Sequence, residues 1–378
     1  TFFRLLKLIL LRGINMTKKL LPVLIGVAMA GGMSAALADV TLMGHIDTAL
    51  VNDDIDGGTD DTNFACTTCS VGVKGSEDLG NGLKAVFKLD WQYDTIKRWS
   101  GDQGKSFTDR DQWLGLAGNF GRVAIGTIST PYKSYGAKID PLYRTALQGR
   151  DHGLQSDFHS GAGEDLQGRA ESTARYDSPS WNGLKFAAFY TLDTDENDGI
   201  NGDKEDDDGY GAGISYENGG ILVFGAGQTN NGGNTNENGE ITGYKAGGKY
   251  TFNNFAVMGQ YEFGNQDLSD TDVEQWHVGA SYTMGNNMLY AAYGMANVDG
   301  DNIDDEDVTA FTIAGVHNMS KRTSVYLGYT AADCDDDMNE TYTSNKGSTD
   351  FSYVKACSGV DDNGGDNERF ALGMKHKF

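Results

Sequence analysis

The chain has 378 residues and carries 30 Lys+Arg against 54 Asp+Glu, a net charge of −24, which argues against a nucleic-acid partner. Gly is abundant (52) and Pro scarce (4), the bias of paired strands and tight turns, because Pro cannot donate to a β-ladder. Beyond the N-terminus no apolar run approaches the roughly 18 residues a membrane helix needs, so any crossing of a membrane is expected to use strands.

Met16-Thr17-Lys18-Lys19 reads as the basic start of an export signal. Leu20 to Met33 is apolar and small, and Ala36-Leu37-Ala38 is a small-x-small cleavage site. Residues 16–38 are therefore expected to be a signal peptide, and the mature chain to begin at Asp39. Residues 1–15 contain no methionine and are read as upstream sequence translated in error. The bases Arg4, Lys7, Arg12, Lys18 and Lys19 all precede Asp39 and no acid does, so the exported part is more acidic than the whole.

From residue 40 the chain alternates with period two. Leu83, Ala85, Phe87, Leu89, Trp91 and Tyr93 share one face, while Lys84, Lys88, Asp90 and Gln92 share the other. Tyr244, Ala246, Gly248 and Tyr250 repeat the pattern against Lys245 and Lys249; Phe255, Val257, Gly259, Tyr261 and Phe263 repeat it against Gln260 and Glu262. Sixteen such strands are predicted, at about 40–50, 69–77, 82–93, 109–117, 121–128, 169–177, 183–192, 209–217, 220–229, 242–251, 254–263, 273–283, 287–297, 308–317, 322–331 and 368–378. Short turns such as 78–81 and 252–253 alternate with long loops at 51–68, 94–108, 129–168, 193–208, 230–241, 264–272, 298–307 and 332–367. Turns on one side and long loops on the other suit an antiparallel barrel in an outer membrane. Sixteen strands leave an aqueous channel inside. The last residues agree: Phe370, Leu372, Met374, His376 and Phe378 alternate to the terminus, as a strand that closes the sheet would. No domain boundary interrupts residues 39–378.

Several stretches carry a family resemblance. They are Asp39-Val40-Thr41-Leu42, the run Gly72 to Ala85 with Gly75-Ser76-Glu77-Asp78-Leu79-Gly80-Asn81-Gly82-Leu83 at its centre, Trp113 to Leu116, Phe120-Gly121, Ile125-Gly126, Ala174 to Pro179, and Phe378. In these the chain resembles the general trimeric porins of Gram-negative outer membranes, of the neisserial and beta-proteobacterial type. The resemblance implies a sixteen-stranded homotrimer in outer-membrane lipid that passes ions and small hydrophilic solutes by diffusion. It implies that the third long loop, 129–168, folds into the barrel and narrows it, with acids on that loop facing bases on the wall. By position Lys74, Arg110, Arg169 and Arg175 match wall bases, and Asp140 is the expected loop acid. One departure is Gly126-Thr127, where the family often has Gly-Arg.

Lys74, Lys88, Arg110, Arg169 and Arg175 sit on faces expected to point inward, opposite Asp140, Asp151, Asp157, Glu164 and Asp165 of the third loop. Opposed rows of charge across a low-dielectric lumen would set up a transverse field. The external loops hold most of the acid, as at Asp53 to Asp61, Asp193 to Asp208, Asp299 to Asp307 and Asp333 to Asp337. They are expected to form a cation-preferring vestibule, or to bridge lipopolysaccharide through divalent ions.

The cysteines are Cys66, Cys69, Cys334 and Cys357. An exported chain with an even count should pair them. The expected bridges are Cys66–Cys69 and Cys334–Cys357, with cross-pairing between the first and last loops as the alternative, since closure makes those loops neighbours. Their spacing does not suit zinc, and no His follows Cys69 as haem attachment would need. Asp193 to Gly199 nearly spells a calcium loop, but its Gly falls one place late. No metal or cofactor is expected. No Gly-x-Ser-x-Gly, phosphate loop or His-Glu-x-x-His is present, and the expectation is a channel and not an enzyme.

Overall fold

A computed structural model describes residues 39–58, 60–96, 108–155, 169–192, 208–231, 240–266, 271–300, 303–335, 355–357, 360 and 364–378. The upstream stretch and signal peptide, residues 1–38, lie outside the described residues, as do Asp157, Glu164, Asp165 and the near-calcium segment.

The strands are β1 (Asp39–Ile55), β2 (Asp61–Cys66), β3 (Ser70–Gly80), β4 (Leu83–Gln92), β5 (Thr108–Gly118), β6 (Gly121–Ser129), β7 (Arg169–Asp177), β8 (Leu184–Thr191) and β9 (Gly209–Asn218). They continue as β10 (Ile221–Asn231), β11 (Glu240–Phe252), β12 (Phe255–Gln266), β13 (Thr271–Met284), β14 (Asn287–Gly300), β15 (Ile303–Asn318), β16 (Thr323–Cys334) and β17 (Gly365–Lys377). Apart from β2 and β3, each pairs antiparallel with its neighbour in sequence, and β17 returns to β1, where Asp47 faces Lys375 and Leu50 faces Leu372. The sheet is closed and leaves no edge.

β2 and β3 are two halves of one stave. Both pair with β1, β2 through Thr48↔Cys66 and β3 through His45↔Ser70. Between them the chain steps out of the ladder at 67–69, and Cys66 and Cys69 are joined by a disulfide across the step. Counting that pair once, the barrel has sixteen strands. A second disulfide joins Cys334, at the end of β16, to Cys357.

The strands run further outward than the alternation alone suggests. The expected first loop, 51–68, is mostly ladder: β1 extends to Ile55 and β2 begins at Asp61. Likewise β14 reaches Gly300 and β15 begins at Ile303. Polar residues such as Asn52 and Asp53 pair as well as apolar ones once the neighbour strand is in register, so acid-rich sequence hides strand. The short turns follow local chemistry. Asn81 and Gly82 both have positive φ (53° and 77°), the type I′ geometry that matches the twist of a two-residue hairpin.

The outer surface is apolar. Leu114 and Ile125 are 65% and 64% exposed, alongside Leu42, Ile214, Ile313 and Leu372. In water such a continuous band would be an association hazard; it fits hydrocarbon. Aromatic pairs sit on the same face, Trp276 with Tyr293 (5.6 Å) and Phe255 with Tyr282 (4.4 Å), as interface girdles do.

Candidate functional site

The buried core of this barrel is built by the segment after β6. Thr130 caps a short helix α1 (Pro131–Gly136): its side chain accepts from the Lys133 N–H at 3.3 Å, and Pro131 supplies the fixed φ of a first helical residue. α1 lies on the inner faces of β9, β10 and β11. Tyr135 packs on Phe224 with ring centroids 6.0 Å apart. A side chain at Gly213 would strike Tyr135 and Pro131, so glycine there makes the close approach feasible. The Tyr132 hydroxyl donates to Glu262 at 2.8 Å, and Lys245 pairs with the other oxygen of that carboxylate at 3.2 Å.

The loop then crosses to the opposite wall. Ile139, Leu142, Ala146 and Leu147 are buried against Ala49, Val51, Tyr290, Ala314 and Tyr326 of β1, β14, β15 and β16. The Ala146 N–H donates to the Tyr326 hydroxyl (3.1 Å), which donates to Asp47 (2.9 Å). Lys375 donates to the Tyr143 carbonyl. A second short helix, α2 (Gly149–His152), ends on β16 and β17: the Thr330 hydroxyl donates to the His152 carbonyl at 3.0 Å. Gly294 leaves room for Leu154, whose Cβ would otherwise lie 2.9 Å from an added side chain.

The wall of β3 to β7 carries the charge. Lys74 and Lys88 stand directly opposite on β3 and β4. Lys88 pairs with Asp111 (2.5 Å) and lies 3.6 Å from Asp90. Arg110 donates to Gln92 (2.5 Å) and lies 3.5 Å from Asp90; Arg169 lies 3.3 Å from Asp111. Arg175 holds Asp177 (2.6 Å) and the Ser129 carbonyl, and Arg122 shares Asp177 (2.5 Å).

Strict alternation from the outward Leu114 and Leu116 would turn Arg110 out. It is 2% exposed and points in because the register slips one residue between Leu89 and Trp91, a bulge that lets Arg110 and Asp111 both face the lumen. A second slip, between Gly126 and Ile128, leaves Arg169 and Ala170 both buried at the start of β7.

Asp140, the loop acid that the resemblance sets against these bases, bonds within its own loop. Asp140 accepts from the Leu142 N–H (2.8 Å) and the Gly149 N–H (3.0 Å), so its carboxylate ties the loop to itself. Burial pushes its carboxyl up to about 6, against the pull of those two N–H groups. Asp151 accepts from Gln148 and lies 3.7 Å from Arg150. What the loop brings to the wall is basic: Lys133, Arg144 and Arg150. Arg144 and Arg150 both lie over the Tyr143 ring, at 5.6 and 5.8 Å. Burial, then Arg169, Arg150 and Arg110, holds Lys133 well below the ordinary lysine range. These loop bases were legible only as residue types in 129–168. Nothing in their spacing says that they face Arg110 and Arg169. Among the described residues no group of His, Cys, Asp and Glu is arranged as metal ligands.

The Gram-negative porin profile matches residues 23–337. The major outer membrane protein P.IB of Neisseria meningitidis serogroup A is 26% identical over 94% of this chain and 99% of its own length. Outer membrane porin protein 32 of Delftia acidovorans is 29% identical over 80% of this chain and 86% of its own. The fold is similar to that of the anion-selective porin from Comamonas acidovorans, with a TM-score of 0.71, 23% identity, and coverage of 90% of this chain and 100% of that one. With a closed barrel, an apolar outer band and a charged lumen, and with that profile covering most of its length, the chain belongs to the Gram-negative porin family: it is an outer-membrane β-barrel channel for passive diffusion of ions and small solutes.

Proposed function

We propose that this porin passes small hydrophilic solutes with a preference for anions, set at a waist formed between the loop and the β3–β7 wall. Lys74, Lys88, Arg110, Arg169 and Arg175 line that waist from the wall, and Lys133, Arg144 and Arg150 from the loop. The observation that carries the reading is the like sign of both sides: Asp140, the acid the loop would offer, is turned into its own backbone. Low-dielectric walls focus the field of such a cluster on whatever passes, and a ring of bases favours anions. The Comamonas acidovorans neighbour, described as anion-selective, supports the same sign.

A cation-preferring mouth is the second reading. Asp54, Asp56, Asp61, Asp333, Asp366 and Glu368 crowd the loop end of β1, β2, β16 and β17. The two zones act in series, and the narrower one governs. The same acids suit divalent bridging to lipopolysaccharide, and the mature chain, freed of residues 1–38, assembles as a homotrimer in outer-membrane lipid. Over 129–168 the acids Asp140, Asp151, Asp157, Glu164 and Asp165 outnumber the bases Lys133, Lys138, Arg144 and Arg150 by one, so the basic sign belongs to the waist and not to the loop as a whole.

The test is the reversal potential of the mature protein in a planar bilayer under a salt gradient. An anion-sided potential supports the basic waist. A cation-sided one gives control to the mouth. Blocked lumens with no conductance would favour a structural or adhesive barrel, and current block by one organic acid, sugar or peptide would favour a substrate-selective channel.

A further inference from the structure

The apolar outer face is broken near its short-turn end. The register sets Leu289 of β14, Gly315 of β15, Leu327 of β16 and Leu372 of β17 in one row across the wall. On β15 the outward residues Phe311 and Ile313 are 44% and 57% exposed, and the next outward position is Gly315. The gap that it leaves between the leucines is a groove of about 230 Å³. Packing does not demand glycine there: an added Cβ would meet only Leu289, at 3.8 Å, an ordinary contact. Gly213 and Gly294 make room for the lumen loop; Gly315 makes room on the side that faces the membrane.

Toward the short turns the groove ends on a polar pair, Asn287 and His317, bonded to each other at 2.8 Å. Beyond that pair lies the turn Met319-Ser320-Lys321-Arg322, which joins the two strands on either side of the groove. The turn is held in place. The Ser320 hydroxyl accepts from the N–H groups of Arg322 (3.1 Å) and Thr323 (3.0 Å), and the Lys377 N–H donates to the Arg322 carbonyl at 2.8 Å. The other short turns, at 81–82, 119–120, 178–183, 219–220, 253–254 and 285–286, contain no Lys or Arg. A chain of net charge −24 thus sets two adjacent bases at a single turn. Both are exposed, and among the described residues neither pairs with a carboxylate, whereas Arg122 and Lys138 are paired with Asp177 and Glu217.

Two unpaired bases beside an apolar groove are complementary to a lipid that carries an anionic head on an apolar chain. The short turns of such a barrel face the periplasm, so the lipid belongs to the periplasmic leaflet. We propose that the outer face of β14–β17, at its periplasmic end, binds one anionic glycerophospholipid, with an acyl chain in the groove over Gly315 and the headgroup phosphate on Lys321 and Arg322. Arg322 lies three positions from Val325 at the groove, roughly 10 Å along a strand, and long basic side chains lay their stems on apolar surface while the charge stays at the headgroups. Met319, 61% exposed in the same turn, adds apolar contact at that depth. Each base near the surface favours an anionic headgroup by about fivefold; a zwitterionic lipid brings its own ammonium and gains less. The groove is smaller than a small-molecule pocket of roughly 300–1,000 Å³ and takes a stretch of one flexible chain. It lies on the far side of the wall from the waist, so the two readings stand or fall separately.

The experiment refolds the mature protein into vesicles of equal phosphatidylglycerol and phosphatidylcholine with matched acyl chains, extracts it into mild detergent, and counts the lipid retained per subunit by native mass spectrometry. The unaltered chain is expected to keep phosphatidylglycerol over phosphatidylcholine by on the order of tenfold, and to lose that preference as salt screens the bases. Lys321→Gln with Arg322→Gln should bring the two lipids close to parity. Gly315→Phe, which fills the groove from a position with open space, should lower retention of both lipids while single-channel steps stay unchanged, since the lumen is not touched. If that variant does not fold, the charge pair decides the question by itself. Equal retention of the two lipids by the unaltered chain would overturn the proposal, as would a preference that survives the loss of both bases. Gly315→Phe parting the subunits with lipid retention unaltered would also overturn it, because the groove would then be filled by a second copy of the chain.

Discussion

Lys245 and Glu262 stand 3.2 Å apart on adjacent strands with neither side chain exposed. Tyr132, from a helix inside the barrel, closes over them: its hydroxyl donates to Glu262 and its ring lies 3.9 Å from the Lys245 ammonium. Gln260 also donates to the carboxylate. Removing two charges from water costs several kcal/mol for each ion. The pair is tenable because the phenol, the amide and the ring supply what water would have supplied. In exchange, the wall gains a fixed point that holds the first turn of the loop.

Breaking that pair from one side should cost more than removing it whole. Glu262→Leu leaves Lys245 buried and uncompensated, and is expected to lower stability by about 3–5 kcal/mol. Adding Lys245→Met should recover much of the loss. Urea titration of the refolded barrel measures both, and equal losses in the single and double variants would show that the two side chains are not coupled.

The disulfides should differ in worth. Cys334–Cys357 spans 23 positions and Cys66–Cys69 spans 3. Loop-closure entropy assigns about 3.5 kcal/mol to the first and about 2 kcal/mol to the second. Cys334→Ser with Cys357→Ser is therefore expected to lower the unfolding midpoint further than Cys66→Ser with Cys69→Ser. The reverse order would mean that the step at 67–69 depends on its bridge for the β1 ladder and not merely for chain entropy.

Arg144 is a loop guanidinium set beside His45 of the wall and over the Tyr143 ring. Arg144→Met removes one charge while keeping a similar length of chain. A screened interaction on the order of 1 kcal/mol at that site corresponds to about a fivefold fall in anion-over-cation permeability. Reversal potentials at two salt gradients measure it, and an unchanged ratio would place the selectivity of the channel elsewhere.

The staves of this barrel were readable because alternation is local. Leu83 to Tyr93, Phe255 to Phe263 and Arg369 to Phe378 each announce a strand with one apolar face, and the lumen wall agrees: Lys245, Gln260, Glu262 and His277 all point in, as their parity requires. Where a strand runs on through polar sequence, as at Asn52 to Ile55 and Asp61 to Cys66, alternation is silent and only pairing reveals it. The wall bases were readable as residues, and Arg169 shares the parity of Arg175, but Arg110 reaches the lumen through a register slip that no period-two rule contains.

Taken alone, the amino-acid order determined that this chain closes a sheet and faces lipid with one side of its strands, because those properties depend on residues two apart. The tertiary structure decided the sign of the waist and the fastening of the loop. Tyr132 and Glu262 are 130 positions apart, and Arg369 and His152 are 217 apart. Their meeting depends on where a loop lies inside a closed wall, and that is set by packing against glycines such as Gly213 and Gly294 on strands formed much later in the chain.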